Sequence, residues 1–579
     1  MRNDPEFAAA DRSRGRIARI APALIVALGA VIAFVQSDRR WLDPIIDTGR
    51  DLYIADALAH GARLYRDIRY QYPPLAPYLL APFTRVTGGS LTVFATIGAL
   101  SAVVIACALL RTGRVIAGPV AGAVGALLFV TLNFAGASTF GCNFLFPYSY
   151  AATFGVMFYL VYVAATIGYL LRVGAARDGE RTNIARARPA LLWLALAAGA
   201  LASWCKLEYA FAVTATLILL TLFRFIPWRA ALGFAAVNAA MFAAAQRFFR
   251  AAPGYDWLRD NLLAASLTRG ESARHFFAMV SGTDRLAEHA AAAFLGALTI
   301  AVCCWLLRRF EQERGTVARV VIALLLLLCG STLASGSFFR AWAVLQLAAL
   351  LWAMLRDRRD LLLPLAAFSI AATVRVALNT TPAWYGFTLV IPLYLLIVYV
   401  LFEYLPARGI YTRRTALLWL PLFAWLMLHG LYTEHLAWSE KRFAVATARG
   451  TFFDWNDDRA RVLAEFLAYV RQRPASTLAV MPEGATLNYL AGTPTPLSFH
   501  TFTPVEIAAA DVEAQIVAEL LARRPARIAI VTRDVREYGF RGFGIDYALH
   551  IRAVLGQHYV VERVWSKPRF SLTLLRLRN

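Results

Sequence analysis

Few of the ionisable side chains in this chain stand where they could do chemistry, and Asp47 is the first of them. It lies in the stretch WLDPIIDTGRDLYIADALAHGARLYRDIRYQYPPLAPYLLAPF, residues 41–83. Asp47 and Thr48 precede a helical pattern in which Leu52, Ala55, Leu58 and Ala59 share one face, and Gly61 is placed to end it. Asp47 has two readings at this point. It is a helix N-cap contributing about 1 kcal/mol, or a general base at the membrane–water interface. An extended piece, Leu64 to Tyr72, and Pro73-Pro74 lead to a second helix beginning near Leu75. The first helix is expected to be amphipathic and to lie on the outer membrane surface. On this reading Asp43, before Pro44, is a turn residue, Asp51 and Asp56 are solvated helix positions, and Asp67 pairs with a neighbouring Arg.

Further along, Lys206 sits in the run ASWCKLEY, at a span end without a charged loop. An ionisable residue in such a place is either functional or a snorkelling lysine paired with Glu208. Arg340, after GSFF, and Arg375 lie at other outer boundaries, where an arginine either binds an anion or anchors its helix. Tyr148 belongs to NFLFPYSY, read as an interfacial aromatic belt or as a platform on which a ligand stacks. Glu483, in PEGATLNYL, either favours a helix N-terminus or contacts a ligand. His500 looks exposed and is weighed as structural or substrate-touching.

The elements that must position these residues are mostly membrane helices. The chain has 579 residues, 59% of them hydrophobic and only 17% charged, against about 25% charged in a typical soluble protein. Thirteen apolar windows, centred near residues 27, 101, 124, 160, 197, 216, 238, 299, 327, 347, 369, 395 and 423, are read as spans. The window at 27, preceded by Arg12, Arg14, Arg16 and Arg19, lacks a cleavage pattern and reads as an uncleaved first helix. With the N-terminus inside, the short inside connections are all basic, and the outside ones near 133–147, 205–208, 335–338 and 377–385 nearly lack basic residues, Lys206 excepted. The net charge of +22 therefore reflects topology, and no motif for nucleic acid accompanies it. Two outside loops are long, near 37–90 and 247–289, and Tyr255, Asp256, Trp257, Arg259 and Asp260 in the second are placed to cover a site.

The expected organisation is an all-α polytopic membrane domain of about 13 transmembrane helices, residues 1–432, and an extracytoplasmic α/β soluble domain, residues 433–579. In the latter, strands are predicted at Thr477–Met481, Arg527–Thr532, Tyr559–Trp565 and Ser571–Leu577. Helices are predicted at Asp457–Arg473, capped by Asn456 or Asp454, and near Ala485–Leu490, Val512–Arg523 and Tyr547–Leu555. No GxGxxG, P-loop, HExxH, Ser/His/Asp triad or CxxC spacing occurs. The six cysteines read as small packing residues.

The first loop, Asp47-Thr48-Gly49, a helix, Gly61, Tyr65-Arg66-Asp67 and Tyr72-Pro73-Pro74-Leu75, resembles that of GT-C glycosyltransferases. The nearest group is the bacterial branch related to protein O-mannosyltransferases and lipid A aminoarabinose transferases. The resemblance implies a polyprenyl-phosphate sugar as donor and a lipid, protein or polysaccharide acceptor. It implies an inverting transfer on the outer face of a bacterial cytoplasmic membrane, with Asp47 as base. A phosphate leaving group needs cations, and Lys206, Arg340 and Arg375, with Tyr148 and Glu208 beside them, form the expected substrate-binding set. Thr48 stands where the family often has a second acid, which argues against a metal, and no cofactor is expected. The competing reading is a transporter or flippase of lipid-linked sugars, which typically shows internal repeats and broken helices at the midplane; no clear repeat is seen.

Overall fold

The computed structural model describes residues 5–137, 142–177, 188–249, 271–507 and 511–578. Each of the thirteen apolar windows is helical. Among the described residues, six helices are long and apolar enough to cross a membrane, and seven shorter apolar helices accompany them. The chain is a multi-pass membrane protein. Its helices form because a backbone in lipid must satisfy its own N–H and C=O groups locally. Small residues let them approach: a Cβ on Gly113 would lie 2.8 Å from the Cα of Gly122 on the next helix.

The last apolar helix, Leu420–Glu440, passes the expected domain border and leads into a β-hairpin, β1 (Phe443–Thr447) and β2 (Gly450–Asp454). Sequence reading did not expect this hairpin, whose two-residue loop, Ala448-Arg449, lacks the Asn-Gly type of turn signal. The remaining strands, β3 (Leu478–Met481), β4 (Arg527–Val531), β5 (Tyr559–Lys567) and β6 (Phe570–Leu577), form one sheet in the order β3-β4-β6-β5. β3 and β4 are parallel and the other pairs antiparallel. Helix Asp457–Gln472 is capped by the Asn456 side chain and packs against β5 and β6, with Phe466 edge-on to Trp565. Val512–Arg523 and Leu549–His558 close a second core around Met481, Ile528 and Leu575.

The structure corrects the expected surface helix. Gly49–Ala59 is a helix, but its first seven residues are buried, between Leu75–Thr87 and the C-terminal helix Ala485–Ala491. Asp51 and Asp56 are accordingly not solvated. Asp51 accepts a 2.6 Å hydrogen bond from the Tyr150 N–H, and Asp56 pairs with Arg449 at 3.1 Å. Asp43 makes the expected turn, accepting from the N–H groups of Ile45 and Ile46, but is also buried against Arg459 at 3.1 Å. Asp67 pairs with Arg66. The C-terminal domain is thus fastened to the first long loop, also through Lys441 Nζ to the Arg40 carbonyl (2.7 Å) and the Thr495 N–H to Tyr53 Oη (3.0 Å).

Candidate active site

Between that loop, the helix ends beside it and the C-terminal domain lies a cavity of about 890 Å³. Asp47 lines it. The residue has φ +51°, a left-handed conformation that Asp tolerates better than most side chains. It does not cap the helix: Thr48 holds the cap position, and its side chain makes no capping bond. The Asp47 N–H instead donates 2.7 Å to Glu483 Oε1 on the C-terminal domain. About 37% of the Asp47 side chain is open, on the cavity side. Its carboxyl sits deep in the molecule all the same. Burial, then the nearby Glu483 carboxylate, push its pKa up to about 7 against the pull of Arg50 and Arg533.

Arg50 is a functional candidate that the sequence reading missed. The second residue of the helix, it lines the cavity with its side chain only 9% exposed. Its Nη1 is 3.9 Å from Asp47 Oδ1, and its Nε and Nη2 make no hydrogen bond among the described residues. Its Nε also lies 3.8 Å from the buried Asp51 Oδ1, an ion pair too long to be a hydrogen bond; buried guanidinium N–H groups left without hydrogen bonds are costly unless a further anion completes them. The available signal was the spacing Asp47-x-x-Arg50, which puts both side chains at one end of a helix.

The structure brings four of the other expected residues together. Arg375 and Glu208 line the cavity and are paired with each other. Lys206 lies behind them, 1% exposed, hydrogen-bonded to Tyr148 Oη and 3.4 Å from Glu208 Oε1. It is absent from the cavity wall and holds its neighbours in place. Tyr148 does line the cavity, so NFLFPYSY is a buried wall and not a lipid-facing belt. Asn143 shapes that wall by accepting from the N–H groups of Leu145 and Phe146. Arg340 stands outside the wall, at the start of Phe338–Arg356, with Nε buried and unbonded among the described residues.

From the second long loop, helix Glu271–Ser281 brings Phe276 and Phe277 to the cavity, Phe276 packing on Tyr385 and Tyr538. Tyr255, Asp256, Trp257, Arg259 and Asp260 lie outside the described residues. His500 is buried, not exposed, with its ring 5.0 Å from that of Tyr53, and burial pushes its pKa down to about 4. Among the described residues no three His, Cys, Asp or Glu side chains are grouped to hold a metal ion.

No protein-family model matches the sequence, and no curated protein matches it. The chain is similar to solved structures. One is ArnT from Cupriavidus metallidurans in the apo state, at 16% identity and TM-score 0.44, covering 95% of this chain and 97% of that one. The same protein bound to undecaprenyl phosphate aligns at 14% identity and TM-score 0.46, with the same coverage. Another is the archaeal oligosaccharyltransferase AglB from Archaeoglobus fulgidus, in complex with an inhibitory peptide and a dolichol-phosphate. It aligns at 13% identity and TM-score 0.49, over 89% of this chain and 70% of that one. Both proteins are GT-C glycosyltransferases. At this level of likeness the functional reading rests on the site's own geometry.

Proposed function

We propose that the protein is a membrane glycosyltransferase that moves a sugar from a polyprenyl-phosphate donor to an acceptor hydroxyl or amine at the outer membrane face. The observation that carries this reading is the pairing of a cavity-facing carboxylate, Asp47, with the incompletely bonded guanidinium of Arg50 beside it. The acceptor oxygen or nitrogen forms a bond to the anomeric carbon while Asp47 takes its proton. The bond from that carbon to the phosphate oxygen breaks, and the electron pair leaves on the phosphate. An in-line displacement of this kind inverts the anomeric centre.

Arg50 and Arg375 supply fixed N–H donors for the growing phosphate charge, held in place by the fold before the reaction and so needing little reorganisation. Glu208 lies between Arg375 and Lys206 and pairs with both, so one carboxylate faces two cations. Beside this polar end, Leu207, Phe211 and Val374 line the cavity and are exposed. An apolar rim next to paired cations fits a lipid chain that carries a phosphate. On this reading the loops and the C-terminal domain are extracytoplasmic and the N-terminus is inside.

The test replaces Asp47 with Asn in the full chain. Transfer is measured from a radiolabelled pool of polyprenyl-phosphate sugars into acceptors of native membranes. A folded variant with transfer reduced about 10²–10⁴-fold is expected for a lost general base. Full transfer by Asp47→Asn refutes the base, and no transfer by the unmodified protein from any donor in the pool refutes the enzyme.

A further inference from the structure

Two contacts join the first loop to one turn of the C-terminal domain, 436 residues away in sequence. Glu483 Oε1 accepts the Asp47 N–H at 2.7 Å. Three residues on, Thr486 lies so close to Gly49 that a Cβ there would be 2.4 Å from the Thr486 Cα. Glu483 is itself held: Oε2 accepts from Arg533 Nε at 2.7 Å, and Arg533 Nη2 is 2.6 Å from Glu537 Oε1. All these side chains except Thr486 line the cavity. The backbone bond that Glu483 accepts belongs to a residue in the left-handed region, which a non-glycine residue keeps only when its surroundings over-determine it.

We infer that Glu483 is a positioning residue: it holds Asp47 in its working conformation, so that the base is complete only when the C-terminal domain is docked on the first loop. This rests on the reading of Asp47 as the base. The bond is made to the backbone, so the Asp47 carboxylate stays free to face the cavity. Glu483 acts on it in two ways. It fixes the direction of the side chain, and its own negative charge opposes ionisation of the Asp47 carboxyl. The other charged groups facing Asp47 are Arg50 from its own helix and Arg533 and Glu537 from the segment after β4. The phenols of Tyr72, Tyr385 and Tyr538 complete its surroundings.

The full chain in lipid nanodiscs is titrated by pH-difference infrared spectroscopy, as the unmodified protein and as Asp47→Asn, Glu483→Gln and Glu483→Ala. Transfer from the radiolabelled polyprenyl-phosphate sugar pool is followed in parallel. The protonated-carboxyl band missing from Asp47→Asn reports Asp47. In both Glu483 variants its midpoint is expected to fall by about one pH unit, the size of a close like-charge effect. Glu483→Ala is expected to lose transfer about tenfold or more through kcat, with donor KM near that of the unmodified protein. Glu483→Gln keeps an acceptor for the Asp47 N–H and recovers part of the loss. An unmoved midpoint, or equal loss of transfer in both variants with a lowered melting temperature, overturns the inference. If Asp47→Asn transfers normally, the base reading falls, and the infrared midpoint still decides by itself whether Glu483 acts on Asp47.

Discussion

The position of Asp47 predicts an unusual pH dependence. An ordinary aspartate, with a pKa near 3.9, gives a flat rate from about pH 5.5 to 8. In this cavity burial, reinforced by Glu483, raises the Asp47 pKa to about 7. The base works only when ionised, so the rate falls as pH falls through that value. About one molecule in ten holds the ionised base at pH 6 and about nine in ten at pH 8, so transfer at saturating donor changes roughly ninefold between them. Stability runs the other way. The folded-state pKa lies above the unfolded one, so the contribution of Asp47 to stability is fully present below about pH 4 and is lost as pH rises through about 7. Asp47→Asn is therefore expected to raise the melting temperature at about pH 8 and leave it unchanged at about pH 4, while abolishing most transfer. Initial rates in nanodiscs from about pH 5 to 9, with melting temperatures at each pH, check both signs. A flat rate profile in protein that remains folded throughout refutes the reasoning.

Two further predictions concern how the loop is held. Gly49→Ala puts a Cβ 1.8 Å from Thr486 Oγ1 and 2.4 Å from its Cα; a clash with backbone cannot be relieved by a rotamer change. It is expected to cost about 1–3 kcal/mol, to lower transfer and to open the domain junction to limited proteolysis. Thr486→Gly should not restore it, and recovery in that double variant refutes the backbone clash. Asp43→Asn weakens the buried cluster in which Arg459 joins Asp43 to Asp454, the latter held at 2.7 Å by both Nε and Nη2. The expected loss is about 1–3 kcal/mol, less than the 3–5 of a fully broken buried pair because Asp454 still holds Arg459. Burial pushes the Asp43 pKa up, but Arg459 and the turn N–H groups outweigh it and hold the pKa below the usual value. Its contribution to stability is thus present above about pH 4 and lost as pH falls through the lowered value, so the melting-temperature gap between the variant and the unmodified protein should close in acid.

What the sequence determined by itself was local. The apolar windows are helices because lipid leaves the backbone no other partner. The strands near 478, 527, 559 and 571 follow from short alternating or apolar runs between turn residues. The helix after Thr48 and the one beginning at Leu75 are written in spacing and in Pro73-Pro74. Tertiary structure alone decided what those elements face. Asp51 and Asp56 look solvated in a polar helix, yet Asp51 is buried against the Tyr150 N–H, and Asp56 is half-buried against Arg449 of a hairpin some 390 residues later. Packing also closes His500 away from water. The groups that set the charge on Asp47 are equally remote in sequence, Glu483 and Arg533 among them. The protonation of Asp47 and the unfilled bonds of Arg50 depend on distance, burial and neighbouring charge, and those quantities exist only once the chain has folded.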